Sequence, residues 1–251
     1  MELADQSVLI PGGTSGIGLA CARAFVAAGA KVCIVGRNTE RGAAAAAELG
    51  PRASFIAADC AEPGQVERMV AEAAAQMGRI DTLVCSLGAN FLPQLLFRQS
   101  LDDIQASLNQ DLAPFLYVGR AVLPVMMAQN SGSVINIASD AGKIATPGES
   151  VIGASMAAII QFTRGLAIEA KRNGIRANTI TPSLVEGTPL TDRLLAEGTF
   201  AAKLFAKARP LAHLGPTTPN DLAALAIFLA SPASARITGQ AISVNGGIST
   251  N

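Results

Sequence analysis

The chain is poor in charge. Only 15% of its 251 residues are Asp, Glu, Lys or Arg, and the 19 basic and 19 acidic residues cancel. No basic run tracks along it, so nucleic acid is not an expected partner. Its four cysteines, Cys21, Cys33, Cys60 and Cys85, form no Cys-x-x-Cys pair. That argues against a metal site or a disulfide framework and for reduced, buried small side chains in a cytoplasmic protein. No stretch of 18 residues is uninterruptedly apolar, so no membrane span is expected. The opening MELADQSVLIPGG lacks the basic-then-apolar order of a secretory signal. Tryptophan is absent, and there is one tyrosine, Tyr117, and one histidine, His213. What is abundant is apolar: half of the chain, enough for one sizeable core spanning residues 1–251 as a single domain.

Short β-branched runs alternate with long Ala- and Leu-rich segments. The spacing predicts strands over 7–13, 31–36, 53–59, 82–88, 132–139, 176–182 and 241–247. Several are apolar on both faces, as a parallel sheet covered by helices requires. Helices are expected near 17–28, 40–49, 63–78, 100–129, 150–173 and 220–231, the last opened by an Asn-Asp cap signal. Such alternation implies an α/β, Rossmann-type doubly wound fold: seven mostly parallel strands with helices on both faces. The stretch 183–219 departs from the alternation as an irregular segment. It follows the C-terminal end of a strand, where such sheets bind ligands, and is expected to be a substrate lid.

Directly after the first strand comes PGGTSGIG, with Gly12, Thr14, Ser15, Gly16, Ile17 and Gly18. Glycines allow the tight turn and the close approach of backbone to a pyrophosphate, and the helix that follows offers unpaired N–H groups at its positive end. Its setting, after a strand and opening a helix, makes this a dinucleotide loop. The second strand ends in Val35-Gly36-Arg37-Asn38. An acidic side chain that would hold a ribose 2′-hydroxyl is missing there. Arg37 can instead fork onto a phosphate, so NADP(H) is favoured over NAD(H). Asp59, with Cys60 beside it at the end of the third strand, is placed to accept from an adenine amino group.

With these features on one chain, the sequence resembles a short-chain dehydrogenase/reductase. GSVINIAS followed by DAG is similar to that family's fifth strand and its catalytic serine, at Ser139. NGIRANTITPS and the long RPLAHLGPTTPNDLAALAIFLASPASARITGQAISVNGG are similar to its last helix and strands, and the likeness runs from about residue 6 to 248. The resemblance implies that Gly12, Gly16 and Gly18 touch phosphates, Asp59 adenine, and Thr188 the nicotinamide carboxamide. It also implies a homodimer or homotetramer built through helices 100–129 and 150–173, and a small-molecule substrate.

The family's chemistry rests on a Tyr-x-x-x-Lys pair 13 residues after the serine. Tyrosine gives a proton to the carbonyl oxygen, and lysine one turn away lowers its pKa. Here those positions are Ile152 and Met156. The helix asparagine that supports a proton relay in the family is expected at Gln110 rather than Asn109. The family's NNAG strand end has become Cys85-Ser86-Leu87-Gly88, Pro11 replaces the threonine that opens the glycine loop, and Ser183 replaces the glycine after Pro182. Tyr117, on the preceding helix, is not expected to fill in. Losing one positioned acid costs about 10²- to 10⁴-fold in rate. Three readings follow. The first is an atypical NADP(H)-dependent ketoreductase acting on a flat or polyketide-like substrate, with Ser139 polarising the carbonyl. The second is an isomerase, dehydratase or cyclase on the same scaffold, with Asp140, Lys143, Glu149, Glu186 or His213 as acid and base. The third is an inactive NADP-binding sensor or partner subunit.

Overall fold

A computed structural model describes residues 3–88 and 91–250. Seven strands form one sheet: β1 (Ser7–Pro11), β2 (Lys31–Gly36), β3 (Ala53–Ala57), β4 (Thr82–Cys85), β5 (Gly132–Ile137), β6 (Ile175–Pro182) and β7 (Ala241–Val244). Their order is β3-β2-β1-β4-β5-β6-β7, and each neighbouring pair is parallel. The switch of direction lies between β1 and β4, where an open sheet leaves a crevice at its C-terminal edge.

Both faces of the sheet are covered, which is why several of its strands carry apolar residues on both sides rather than alternating. Along β1, Leu9 packs into one core with α3 (Pro63–Met77), α5 (Ala113–Gln129) and α6 (Ser150–Ala170). Val8 and Ile10 point the other way, into a second core with α1 (Gly16–Ala27), α2 (Thr39–Leu49) and α9 (Pro219–Ala230). By length and composition alone, Leu101–Gln129 and Ser150–Asn173 could cross a bilayer. Each instead lays a buried stripe on the sheet, with Phe115, Val118 and Val122 from one and Ile152, Ile159 and Leu166 from the other.

Two expectations are corrected. The helix expected over 100–129 is broken into α4 (Leu101–Ser107), a π-helical turn (Leu108–Leu112) and α5. Pro114 explains the break: without an N–H it cannot bond back to residue 110, and the wider turn absorbs the defect. The segment 183–219 is not irregular. It holds α7 (Pro189–Leu194) and α8 (Phe200–Ala208), each opened by a threonine whose side chain accepts from a backbone N–H: Thr188 from Thr191 at 3.1 Å and Thr199 from Ala202 at 3.0 Å. The ends of this excursion are clamped by a parallel bridge between Val185 and Thr217, and Leu184, Leu194, Ala201 and Phe205 form a small core of its own.

Candidate active site

A cleft of about 940 Å³ runs along the C-terminal edge of the sheet. One end is built by the glycine loop. Gly12 has φ +81°, and a Cβ there would sit 2.0 Å from the Ser86 carbonyl oxygen, so only glycine lets the loop close onto β4. Thr14, Ser15, Gly16 and Ile17 face the cleft, whereas Gly18 is buried behind it. A Cβ on Gly18 would lie 2.2 Å from the Gly12 carbonyl oxygen, so its task is close packing of helix on loop rather than contact with a ligand. Ser15 opens α1 without a side-chain cap, which leaves its hydroxyl and the first-turn amides at the cleft.

Arg37 and Asp59 line the same end, and Asp59 is held by Ala61, whose N–H donates to Oδ1 at 3.0 Å. Cys60 lines it too, but burial pushes its thiol from 9.0 up to about 12, so it is a neutral wall residue. Arg41 was not foreseen. Asn38 caps α2 and accepts from the Arg41 N–H at 2.8 Å, which brings the guanidinium within 3.4 Å of Thr14 Oγ1 and onto the cleft wall beside Arg37. The capping Asn38 three residues before Arg41 was the available signal. A Cβ on Gly36 would be 2.8 Å from Thr14, so the floor between the loop and the arginines is closed to any larger residue. The glycine cradle and the uncapped helix start fit the pyrophosphate of a dinucleotide, and the arginine pair fits a further phosphate on its ribose. Thr188 lines the cleft as well, 3.7 Å from the Cβ position of Gly16, with its hydroxyl donating to the Val185 carbonyl at 3.2 Å.

The other end is built by β5 and α6. Ser139 follows β5, faces the cleft, and its Oγ accepts from the Ala141 N–H at 3.2 Å. Ile152 and Met156 also line it and are 7% and 6% exposed, an apolar floor where charge and phenol were missing from the sequence. Glu149, one turn before Ile152, shares the cleft. It occupies the cap position of α6 but its side chain makes no cap hydrogen bond. Burial holds its carboxyl above the ordinary carboxylate range, a hydrogen bond from Thr146 opposing this.

Asp140 and Lys143 are not loop surface. Asp140 is 5% exposed and accepts from Ser243 Oγ at 3.1 Å, from Ser249 Oγ at 3.0 Å and from the Asn245 side-chain amide. Lys143 Nζ donates to Ser243 Oγ at 2.5 Å and lies 3.6 Å from Asp140. This network binds the tail after β7 to the turn after Ser139, and Ile248 and Ser249 join the wall. Glu186 and His213 fall outside the cleft: Glu186 pairs with Arg209 at 2.7 Å, and His213 is exposed. In the π-turn, Asn109 and Gln110 are both exposed at the rim, and the buried polar residue is Asp111, held by the Ser107 hydroxyl at 3.1 Å. Tyr117, set aside on sequence grounds, does reach the cleft wall from α5. Among the described residues no group of three His, Cys, Asp or Glu side chains could hold a metal ion.

Residues 12–249 match the family model described as enoyl-(acyl carrier protein) reductase. The chain is 36% identical over 254 residues to a 3-oxoacyl-(acyl-carrier-protein) reductase FabG of Chlamydia pneumoniae, covering 99% of this chain and 98% of that one. It is 33% identical to a 3-oxoacyl-(acyl-carrier-protein) reductase of Bos taurus, covering 97% and 98%. Among solved structures, a short-chain type dehydrogenase/reductase from Mycobacterium ulcerans superposes with a TM-score of 0.90 at 28% identity, covering 99% of this chain and 91% of that one.

Proposed function

This chain is a short-chain dehydrogenase/reductase, and from that premise we propose that it is an atypical NADP(H)-dependent ketoreductase that works without the tyrosine–lysine pair. The observation that supports this most is the continuity of one cleft from the arginine pair, across the glycine loop, to Ser139. Gly12, Thr14, Ser15, Gly16 and Ile17 would hold the pyrophosphate, Arg37 and Arg41 the 2′-phosphate, Asp59 the adenine and Thr188 the carboxamide. When bound, a reduced nicotinamide supplies a hydride equivalent to a carbonyl carbon. The Ser139 hydroxyl donates to the carbonyl oxygen and fixes its position. Ile152 and Met156 favour a flat, apolar ketone of aromatic or polyketide-like type and keep water away from it. Relatives named as reductases of acyl-carrier-protein thioesters support the class of reaction. The segment 183–219, whose Leu190, Leu204 and Phe205 line the cleft, serves as the lid. Exposed apolar residues on the two long helices, Leu101 at 83% and Ile168 at 65%, support assembly into a homodimer or homotetramer through 100–129 and 150–173.

Calorimetric titration with NADPH and NADH tests the reading. A phosphate held by two guanidiniums is worth about 1.5–3 kcal/mol per charged hydrogen bond. NADPH should therefore bind at least about tenfold more tightly than NADH, and Arg37→Ala with Arg41→Ala should abolish the difference. Reduction of a hydroxyl-flanked aromatic ketone, weakened by Ser139→Ala, is the expected activity. If neither cofactor binds, the reading fails. If NADPH binds but none of these ketones turns over, the chain is a cofactor-binding sensor or partner subunit.

A further inference from the structure

We propose that Glu149 is the proton donor to the carbonyl oxygen, one helical turn before the position where the family carries tyrosine. The inference rests on the ketoreductase reading. It starts from the helix face. Glu149, the cap residue at the start of α6, precedes Ile152 and Met156 by three and seven residues, the spacing of one helix face, and all three line the cleft. Glu149 is the one ionisable group of that stripe. Three residues of helix rise separate it from Ile152 by about 4.5 Å, a distance that a glutamate side chain, longer than isoleucine, can span towards the same substrate atom.

The N-terminal part of α6 is fixed against the turn that carries Ser139. A Cβ on Gly153 would lie 2.7 Å from the Ala141 carbonyl oxygen, and one on Gly142 would lie 2.7 Å from the Ala157 N. Helix and turn therefore touch backbone to backbone. The Gly153 N–H donates to the Glu149 carbonyl at 2.6 Å, so the acid belongs to the same rigid unit. Its side chain is not spent on capping the helix.

The other ionisable groups along the cleft are placed for other tasks. Arg37, Arg41, Asp59, Cys60 and Glu62 stand at the ends of β2 and β3, on the far side of β1 from Ser139. Asp140 spends both carboxylate oxygens on Ser243, Asn245 and Ser249, with Lys143 beside it. Arg193 of α7 offers a guanidinium, which donates hydrogen bonds but is not a proton-transfer group. Tyr117 comes from α5, beside Asn109, Gln110 and Pro114, not from the α6 stripe. Burial favours the neutral form of Glu149, the form that donates.

The step balances. The carbonyl carbon gains two electrons and a hydrogen from the reduced nicotinamide, which is left oxidised, and the C=O π bond opens onto oxygen. Oxygen takes the Glu149 proton, giving the alcohol, and the carboxylate regains a proton from water.

Three measurements on Glu149→Gln test this. Isotope-edited infrared titration of the free protein should show a carboxyl band that ionises above the ordinary glutamate range and vanishes in the variant. Single-turnover reduction should fall about 10²- to 10⁴-fold and lose the decline seen in the wild type as pH rises through that ionisation. NADPH affinity should stay within about twofold, because the side chain lies away from the phosphates. If the band ionises in the ordinary range, the assignment is overturned without any substrate. If Glu149→Gln reduces ketones at the wild-type rate, or if Tyr117→Phe and not Glu149→Gln removes the pH dependence, the assignment falls while the ketoreductase reading stands. If the wild-type protein binds NADPH and reduces none of the ketones, both fall together.

Discussion

Met156 and Ile152 show how far a site can be remade by two side chains. Both are nearly sealed from solvent, and neither offers a partner to a charge. Met156→Lys alone would bury an ammonium against isoleucine. It is expected to cost about 3 kcal/mol or more, read as a fall in the urea midpoint. Adding Ile152→Tyr supplies a hydroxyl one turn away, so the double variant should recover part of that loss, a coupling that a double-mutant cycle measures. Additive losses would mean that the two side chains do not meet in this cleft. The absence of the pair was plain in the sequence because the serine, its strand and the helix frame around it fix the count. Which polar groups share the cleft with Ile152 and Met156 was not. Glu149 and Tyr117 differ from dozens of other polar residues only in which way they face, and spacing alone does not bring residues from different helices to one wall.

At the scale of elements, the sequence marked each strand and each long helix to within a few residues, since apolar runs and glycines bound them. It missed α7 and α8 because six and nine residues give too few turns for periodicity to show. It missed the π-turn because helix-like apolar spacing continues through Pro114 while the backbone does not. It named Asp140 and Lys143 as acid and base candidates but could not show their partners, which lie about a hundred residues away on β7 and the tail. The pairing of α5 with α6 gives an element-scale prediction. Gly119 is buried, and a Cβ there would stand 2.9 Å from the Phe162 ring. Gly119→Val should push the two helices apart and cost about 1–3 kcal/mol, measurable by urea unfolding. If stability is unchanged, the helices do not meet at that point.

For the whole molecule, the thiols report on integrity. Burial raises Cys21 to about 12 and Cys33 to about 11 from 9.0, and lifts Cys85 well above 9.0 too. The folded chain keeps thiol protons that the unfolded chain releases. Their contribution to stability is therefore complete below pH 9.0 and is lost as pH climbs from there through the raised values. An aromatic disulfide reagent should find no reactive thiol at neutral pH until urea unfolds the chain, and the urea midpoint should drop above pH 9.0. Fast labelling of any of the four in the native protein would show that the layers over the sheet open.

The clamp between Val185 and Thr217 has an evolutionary and a practical side. The chain from Glu186 to Pro216 leaves and rejoins the scaffold at this bridge, touches it again where the Leu214 N–H donates to the Gly246 carbonyl, and contributes Leu194, Ala201 and Phe205 to a small apolar centre. Such a piece behaves as a cassette. Beyond Thr188 and Pro189, which stand against Gly16, its sequence can drift, or be exchanged for that of another enzyme with the same sheet, without touching the glycine loop. A protein engineer grafting a new specificity onto the proposed lid would cut after Pro189 and before Thr217.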